Sequence, residues 1–329
     1  MRLKLTTYYH VSEVPPLPGD NTFHSTVLFR IYEATPGYRP FLVVALEEEQ
    51  PVGKLLAVVR RGGRSVLPNL LHRCEVFGTG DYFGRCSFTR EELFEQMLER
   101  VTAEALSDSF MIEFRDLSHP LFGYGAFCRN NYIPVNWLRV YNSLHSVERA
   151  EDRFSASRIR QIKRGMKSGA MVEEAHTLDE VHAFTTMLHA NYSFKIRRHF
   201  PDRRFFEQLE QVPEDTERQS RIFVVKYHDH VIGGSVCIYS GTTAYLWFSG
   251  GLRKSYALQY PGILAVWKAM TDAKERGYAH FEFMDVGLPY QRHGYRDFVL
   301  RFGGKQVSTR RWFRFRWSWL NTLLQRCFE

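Results

Sequence analysis

What this sequence withholds narrows its function first. It has no uncharged apolar run of about 18 residues, so no segment is expected to span a bilayer. Its start, Met1-Arg2-Leu3-Lys4-Leu5-Thr6-Thr7-Tyr8, has no sustained apolar stretch of the signal-peptide kind. The five cysteines, Cys74, Cys86, Cys128, Cys237 and Cys327, are scattered, and no two have metal-ligand spacing. Buried free thiols, no metal and a cytoplasmic location are the expectation. A Walker-type loop and a nucleophile-plus-base motif are also missing, which removes the commonest nucleotide-hydrolysing and covalent-hydrolase readings. Acids are absent from two whole segments. Arg153 to Ser168 holds six Lys/Arg and Arg301 to Phe328 holds seven, with no Asp or Glu in either.

The net charge of +8 is therefore local, because the rest of the chain is net negative. Concentrated basicity suits an anionic partner better than general solubility, although two solvated faces would have the same composition. Hydrophobic residues at 44% and aromatics at 15% exclude a disordered chain, and 329 residues suffice for two domains with separate cores.

The same small unit is written twice. Phe41-Leu42-Val43-Val44, a polar turn at Glu47 to Gln50, and Val52-Gly53 before Leu55 to Val59 predict a hairpin. Ile222-Phe223-Val224-Val225, His228-Asp229-His230 and Ile232-Gly233 before a run to Tyr239 predict another. Each is followed by a helix and a short strand closing on an acid, Ile112 to Asp116 and Phe281 to Asp285, then by Gly-Tyr-x-x-Phe at Gly123 and Gly294. Within the first copy, Thr89 caps a helix to Ser107, and Cys128 to Tyr141 supplies closing strands. Within the second, Tyr260 to Arg276 is a helix with Pro261 in its first turn and Gly277 beyond its end, and Val307 to Trp317 closes the sheet. Phe154, Ile159, Ile162 and Met166 give the basic segment one apolar helical face with Gly169 as its stop. The expected class is α/β (α+β): tandem domains at 1–150 and 175–329, each a mixed, mostly antiparallel sheet flanked by helices, joined by a basic helix and strand at 151–174.

Chemistry gathers in Ser249-Gly250-Gly251-Leu252-Arg253-Lys254-Ser255-Tyr256-Ala257-Leu258-Gln259-Tyr260. Glycines after a strand, cations, and a helix N-terminus suit a phosphate or carboxylate, so Gly250, Gly251, Arg253, Lys254, Gln259 and Tyr260 are candidate donor- or phosphate-binding residues. Asp285, just past its strand, could orient or deprotonate an amine, or merely cap the next turn. Tyr256 and Tyr295 could donate to an oxyanion, or merely pack. Arg292, Arg301 and Lys305 are candidate acceptor-binding cations, and Glu282 reads as the balance to a nearby base. Asp116 and Tyr124 are the first-copy counterparts of Asp285 and Tyr295, but that copy has Phe77-Gly78-Thr79-Gly80-Asp81-Tyr82-Phe83-Gly84 in place of an Arg-bearing loop.

The duplicated unit, the Arg158-to-Gly169 helix, Gly-Gly-Leu-Arg, Arg276-Gly277-Tyr278 and Phe298…Phe302-Gly303-Gly304 together resemble the FemABX group of GNAT-fold acyltransferases. The resemblance implies two GNAT domains and transfer of an acyl or aminoacyl group to an amine. The donor it implies is aminoacyl-tRNA, or acyl-CoA in relatives within the fold; the acceptor is a peptidoglycan precursor of the cell envelope, and no tightly held cofactor is implied. This chain departs from the pattern twice. Tyr256 and Leu258 stand at the glycine positions of the acetyl-CoA loop, and Val299 stands where many Fem-type enzymes have Lys.

The expectation is thus an acyltransferase working on an amine of an anionic acceptor. Its rivals are an acyl-CoA N-acyltransferase for a small amine and a noncatalytic RNA- or membrane-surface-binding protein. The segment Arg310 to Trp319 alternates bases with aromatics, which predicts a strand with one apolar and one cationic face. That pattern fits peripheral contact with the inner membrane face or with RNA phosphates, or a charge-protected edge strand.

Overall fold

The computed structural model describes residues 3–61, 72–117, 120–192, 200–212 and 219–328, the side chains of Cys327 and Phe328 excepted. The chain divides into two compact units, one of Met1–Trp137 with Ser308–Glu329, the other of Leu138–Val307.

In the first unit, β1 (Leu3–Tyr8), β2 (Tyr38–Glu47), β3 (Gln50–Arg60) and β4 (Arg73–Phe77) form an antiparallel run. Short β5 (Asp81–Tyr82) pairs with β3, and β6 (Met111–Arg115) lies parallel to β4. The second unit repeats this arrangement. There β8 (Met171–Glu174), β9 (Ser220–Tyr227), β10 (His230–Ser240) and β11 (Thr243–Gly251) are antiparallel, and β12 (His280–Phe283) is parallel to β11. The hairpins agree in detail. Glu48-Glu49 and His228-Asp229 both turn with positive φ at two successive residues, which matches the twist of the flanking strands. A register shift lies beside each turn, at Ala45/Leu46 and at Val231/Gly233.

The closing strands differ from the sequence expectation. Within β7 (Ile133–Ser143), the stretch after Trp137 pairs with β12 of the second unit, Val140 opposite Phe283 and Ser143 opposite His280. Within β13 (Lys305–Phe315), Arg311 to Phe315 pairs with β6 of the first unit. Each sheet is thus finished by the strand that follows the other copy's last helix, so neither a boundary near 150 nor a C-terminal strand closing the second sheet describes the units. Matching ion pairs pin the two exchanged strands. Glu113 of β6 accepts from Arg311 Nη1 at 2.8 Å, and Glu282 of β12 accepts from Arg139 Nη1 at 3.2 Å. Both glutamates and Arg311 are buried. Each arginine stands two residues before the one opposite its glutamate.

Helices cover the sheets where the apolar period predicts. α2 (Arg90–Asp108) starts at Thr89, whose Oγ1 accepts from Glu92 N (3.2 Å) while Glu92 Oε2 accepts from Thr89 N (2.8 Å). It buries Leu93, Phe94, Met97, Leu98, Val101 and Ala105 against β2, β3 and β6. In the second unit α7 (Pro261–Glu275) buries Leu264, Val266, Ala269, Met270 and Ala273, and Gly277 follows it at φ +81°. The remaining helices are α1 (Thr26–Ala34), α3 (Tyr124–Arg129), α4 (Ala156–Lys167), α5 (Leu178–Asn191), α6 (Arg203–Glu210), α8 (Gly294–Leu300) and α9 (Ser318–Phe328). Cys128, the expected start of the closing strands, therefore lies within α3, and the strand begins only at Ile133. No helix among the described residues is long and apolar enough to cross a membrane, and none of their His, Cys, Asp and Glu residues cluster as a metal site.

Candidate active site

Parallel β11 and β12 pair only from Thr243–His280 to Leu246–Phe283. Beyond Leu246, β11 runs on through Ser249 to Gly251 beside β10 alone, while β12 has ended. The space past the carboxyl ends of such a pair is where this kind of sheet admits a ligand. A cavity of about 630 Å³ lies there, inside the second unit.

Local chemistry shapes its walls. The loop after Gly251 is folded by Tyr256 N donating to Leu252 O (2.9 Å) and ends on Tyr260, which takes φ +48° and ψ +49° although it is not glycine. That left-handed residue turns the backbone into α7, where Pro261 brings no N–H. Ile263 N and Leu264 N already donate to Tyr260 O (2.9 and 3.1 Å), so Gly262 supplies the donor of the first turn that has no helical acceptor. Glycine at 251 is required because a Cβ there would stand 2.5 Å from Gly262 N, and glycine at 165 because a Cβ would stand 2.6 Å from Gln259 O. These close approaches seat the α7 N-terminus between β11 and α4.

Arg158 is the dominant charge. α4 buries Arg158, Ile162 and Gly165, in line with Phe154 just before it, whereas Ile159 is only half-buried; Met166 is 41% exposed and Arg158 only 2%. Arg158 Nη2 donates to Phe298 O (2.7 Å) and Nη1 to Gln161 Oε1 (3.0 Å). Its guanidinium lies 4.6 Å from the Phe298 ring centre and 4.3 Å from that of Phe302. Burial, then the like charge of Arg301, lowers its pKa to about 10, so it remains a cation at neutral pH. Among the described residues no carboxylate lies within ion-pairing distance of Arg158, Arg253 or Arg301, all of which line the cavity with a single acid, the exposed Asp297. A buried cation held only by neutral groups has unused capacity for an anion.

Tyr295 faces the same space from α8, stacked on Phe298 at 6.1 Å. Burial raises its phenol pKa well above normal while a hydrogen bond to the Ser249 side chain works against this, so the group is a neutral donor. Tyr192 OH donates to Ser249 O at 2.7 Å.

Of the residues singled out in the sequence, Gly250, Gly251, Arg253, Tyr260, Tyr295 and Arg301 line the cavity together. Tyr256 instead packs on the core with its ring 6.0 Å from Tyr227. Gln259 is buried, and Lys254, Arg292 and Lys305 are exposed, all outside the lining. Asp285 is exposed past β12 and outside the lining, and its charge adds to the effect of burial in raising the Tyr295 pKa. Arg158, Gln161, Tyr192, Ser249 and Asp297 also line it without having been picked out as site residues. Spacing could have found Arg158, which falls four residues from both Phe154 and Ile162; Tyr192, at a helix end, carries no such signal.

The corresponding place in the first unit is filled by the chain itself. Lys54 and Asp81 face each other across β3 and β5 as Gly234 and Gly250 do across β10 and β11, and their side chains ion-pair at 3.4 Å. Lys54 Nζ donates to Pro18 O (2.6 Å), Asn21 N donates to Asp81 Oδ2 (3.2 Å), and Gly78 N still reaches Arg115 O (2.8 Å) past the end of β4. Its parallel strands therefore stay joined. Asp116, counterpart of Asp285, is buried with its carbonyl accepting from Thr309 Oγ1 (2.8 Å).

Residues 156–292, which hold Arg158, the β11 glycines and the α7 N-terminus, match the family model of the Acetyltransferase (GNAT) domain. Over this segment the chain is similar to GNAT acetyltransferases. Around this segment, the whole chain has the fold of several solved structures. FemX is 12% identical with a TM-score of 0.61, covering 99% of each chain. A tandem GNAT protein from the clavulanic acid biosynthesis pathway is 13% identical with a TM-score of 0.56, over 96% of this chain and 99% of that one. L-PGS from Bacillus licheniformis is 12% identical with a TM-score of 0.55, over 95% and 99%. At these identities the likeness is one of fold, a FemX-like tandem GNAT architecture. No curated protein matches the sequence.

Proposed function

We propose that the second unit transfers an acyl or aminoacyl group from an activated donor, acyl-CoA or aminoacyl-tRNA, to an amine on an anionic acceptor. The observation that carries this reading is the cavity beyond paired β11 and β12, with three arginines that no described carboxylate neutralises and a helix N-terminus beside them. The α7 N-terminus with Arg253 would hold donor phosphate, and Arg158 and Arg301 would neutralise the remaining charge. In the step itself the amine nitrogen forms the new C–N bond as the donor's C–S or C–O bond breaks. The proton lost by the amine ends on the departing thiol or ribose hydroxyl, while the neutral Tyr295 phenol donates to the oxyanion. A cell-envelope precursor is the acceptor class implied by the FemABX resemblance.

A thermal-shift panel of coenzyme A, acetyl-CoA, tRNA, nucleotide-sugar precursors and heparin tests this. Stabilisation by coenzyme A or by tRNA, lost in Arg158→Met, supports transfer and identifies the donor. Stabilisation by heparin alone, with no turnover of any donor, supports a noncatalytic polyanion-binding protein instead.

A further inference from the structure

The C-terminal helix α9 is anchored by a buried polar residue and leaves large apolar ones exposed. Asn321, 2% exposed, is its anchor: Oδ1 accepts from Phe315 N and Nδ2 donates to Phe315 O, both at 2.8 Å, which clasps the end of β13. Residues two before and two after Asn321 project from the opposite side of a helix. Those are Trp319 and Leu323, 63% and 53% exposed, with Trp317 stacked 6.3 Å from Trp319 and 41% exposed. A helix that served only to cover β13 would turn these apolar side chains in and its asparagine out.

Its charge is one-sided as well. Arg316 and Arg326 are exposed and ion-pair with no described residue, and no acid occurs from Arg301 to Phe328. We infer that α9 is a docking surface for an anionic phospholipid bilayer, with Trp317, Trp319 and Leu323 entering the headgroup boundary and Arg316 and Arg326 meeting lipid phosphates. Two indoles beside an aliphatic residue and unpaired arginines match the layered polarity of that boundary: apolar below, amphipathic at the interface, anionic above. A protein partner would need acids aligned with two arginines at opposite ends of the helix, whereas a lipid surface supplies negative charge anywhere along it. The inference is independent of the reaction proposed above.

Full-length protein is sedimented with vesicles of phosphatidylcholine alone or mixed with phosphatidylglycerol. Binding to the mixed vesicles only is expected, with a blue-shifted tryptophan emission. Trp319→Ala/Leu323→Ala is expected to lower partitioning by about tenfold or more, from the apolar area withdrawn. Arg316→Gln/Arg326→Gln is expected to lower it by about tenfold or more, with weaker salt dependence. Should the apolar variant melt abnormally, quenching of the unmodified protein by brominated lipid, relieved in Trp319→Phe, decides the matter. Absence of binding, or equal binding to neutral vesicles, overturns the inference. So does a concentration-dependent dimer that the double variant dissolves, because a second copy would then be the cover.

Discussion

Arg158 is buried at a cost, since neutral acceptors and two aromatic faces only partly replace its hydration. Two opposite effects follow from removing it. Arg158→Met should leave the melting temperature of the free protein unchanged or raised, because the buried charge disappears. The same change should weaken binding of a phosphate-bearing donor by about 10- to 100-fold, the worth of charge-assisted hydrogen bonds; paired melts with and without donor measure both. Tyr295→Phe keeps the ring stacked on Phe298 and deletes only the donor. It should reduce kcat by about 10²- to 10³-fold with little change in KM, and a KM effect of equal size would make Tyr295 a binding residue. At this scale the sequence exposed whatever has a local grammar: the strand-end glycines, Arg253, and Tyr260 before Pro261. Arg158 was hidden among six bases because its role comes from which face α4 buries, and Tyr192 and Ser249 meet only through tertiary folding.

Among the elements, the packing of β3, β4 and the turn at Gly80 holds two groups whose protonation should set acid stability. His24 is fully buried between Leu56 N (3.1 Å) and Gly80 N (3.0 Å), and burial, with Lys54 nearby, lowers its pKa to about 3. The unfolded chain binds that proton below about pH 6.5 and the folded chain does not. Stability is therefore complete above that value and falls as pH drops towards 3, by up to about 1.4 kcal/mol per pH unit. Burial pushes Glu75 up, but Arg60, Arg115 and Arg73 more than offset this and hold it at about 2. Its contribution is present above about pH 4.5 and is lost from there down to 2. Urea titrations across this range should give a gentle decline that steepens below about pH 4.5, and His24→Asn should flatten the part above 4.5 and make the part from there to about 3 less steep. The elements themselves were mostly readable. The hairpins, α2 with its Thr89 cap, and α7 between Pro261 and Gly277 follow period and capping rules. The short helices α3 and α8 read as loops, since six or seven residues around Gly-Tyr-x-x-Phe offer too little periodicity.

Over the whole molecule, the exchange of closing strands escaped the sequence for a definite reason. β7 and β13 alternate in the same manner, and both sheets offer a parallel strand with a central glutamate. Nothing local says which strand joins which sheet; chain connectivity and the pairs Glu113–Arg311 and Glu282–Arg139 do. A chain ending at Val307 would retain all of residues 156–292 and every residue lining the cavity. We expect it nonetheless to lose cooperative melting and become protease-sensitive within residues 1–137, because β6 would lack its partner and Phe114 and Phe127 would lose the cover of Trp312. A truncated chain as resistant as the full one would mean that the first unit stands without β13.

The exchange also has a consequence for biosynthesis. During translation β6 leaves the ribosome with an open margin, and the segment that seals it, Arg311 to Phe315, is made only after the whole of residues 138–307. Until then that margin has unpaired N–H and C=O groups that a neighbouring nascent chain can pair with.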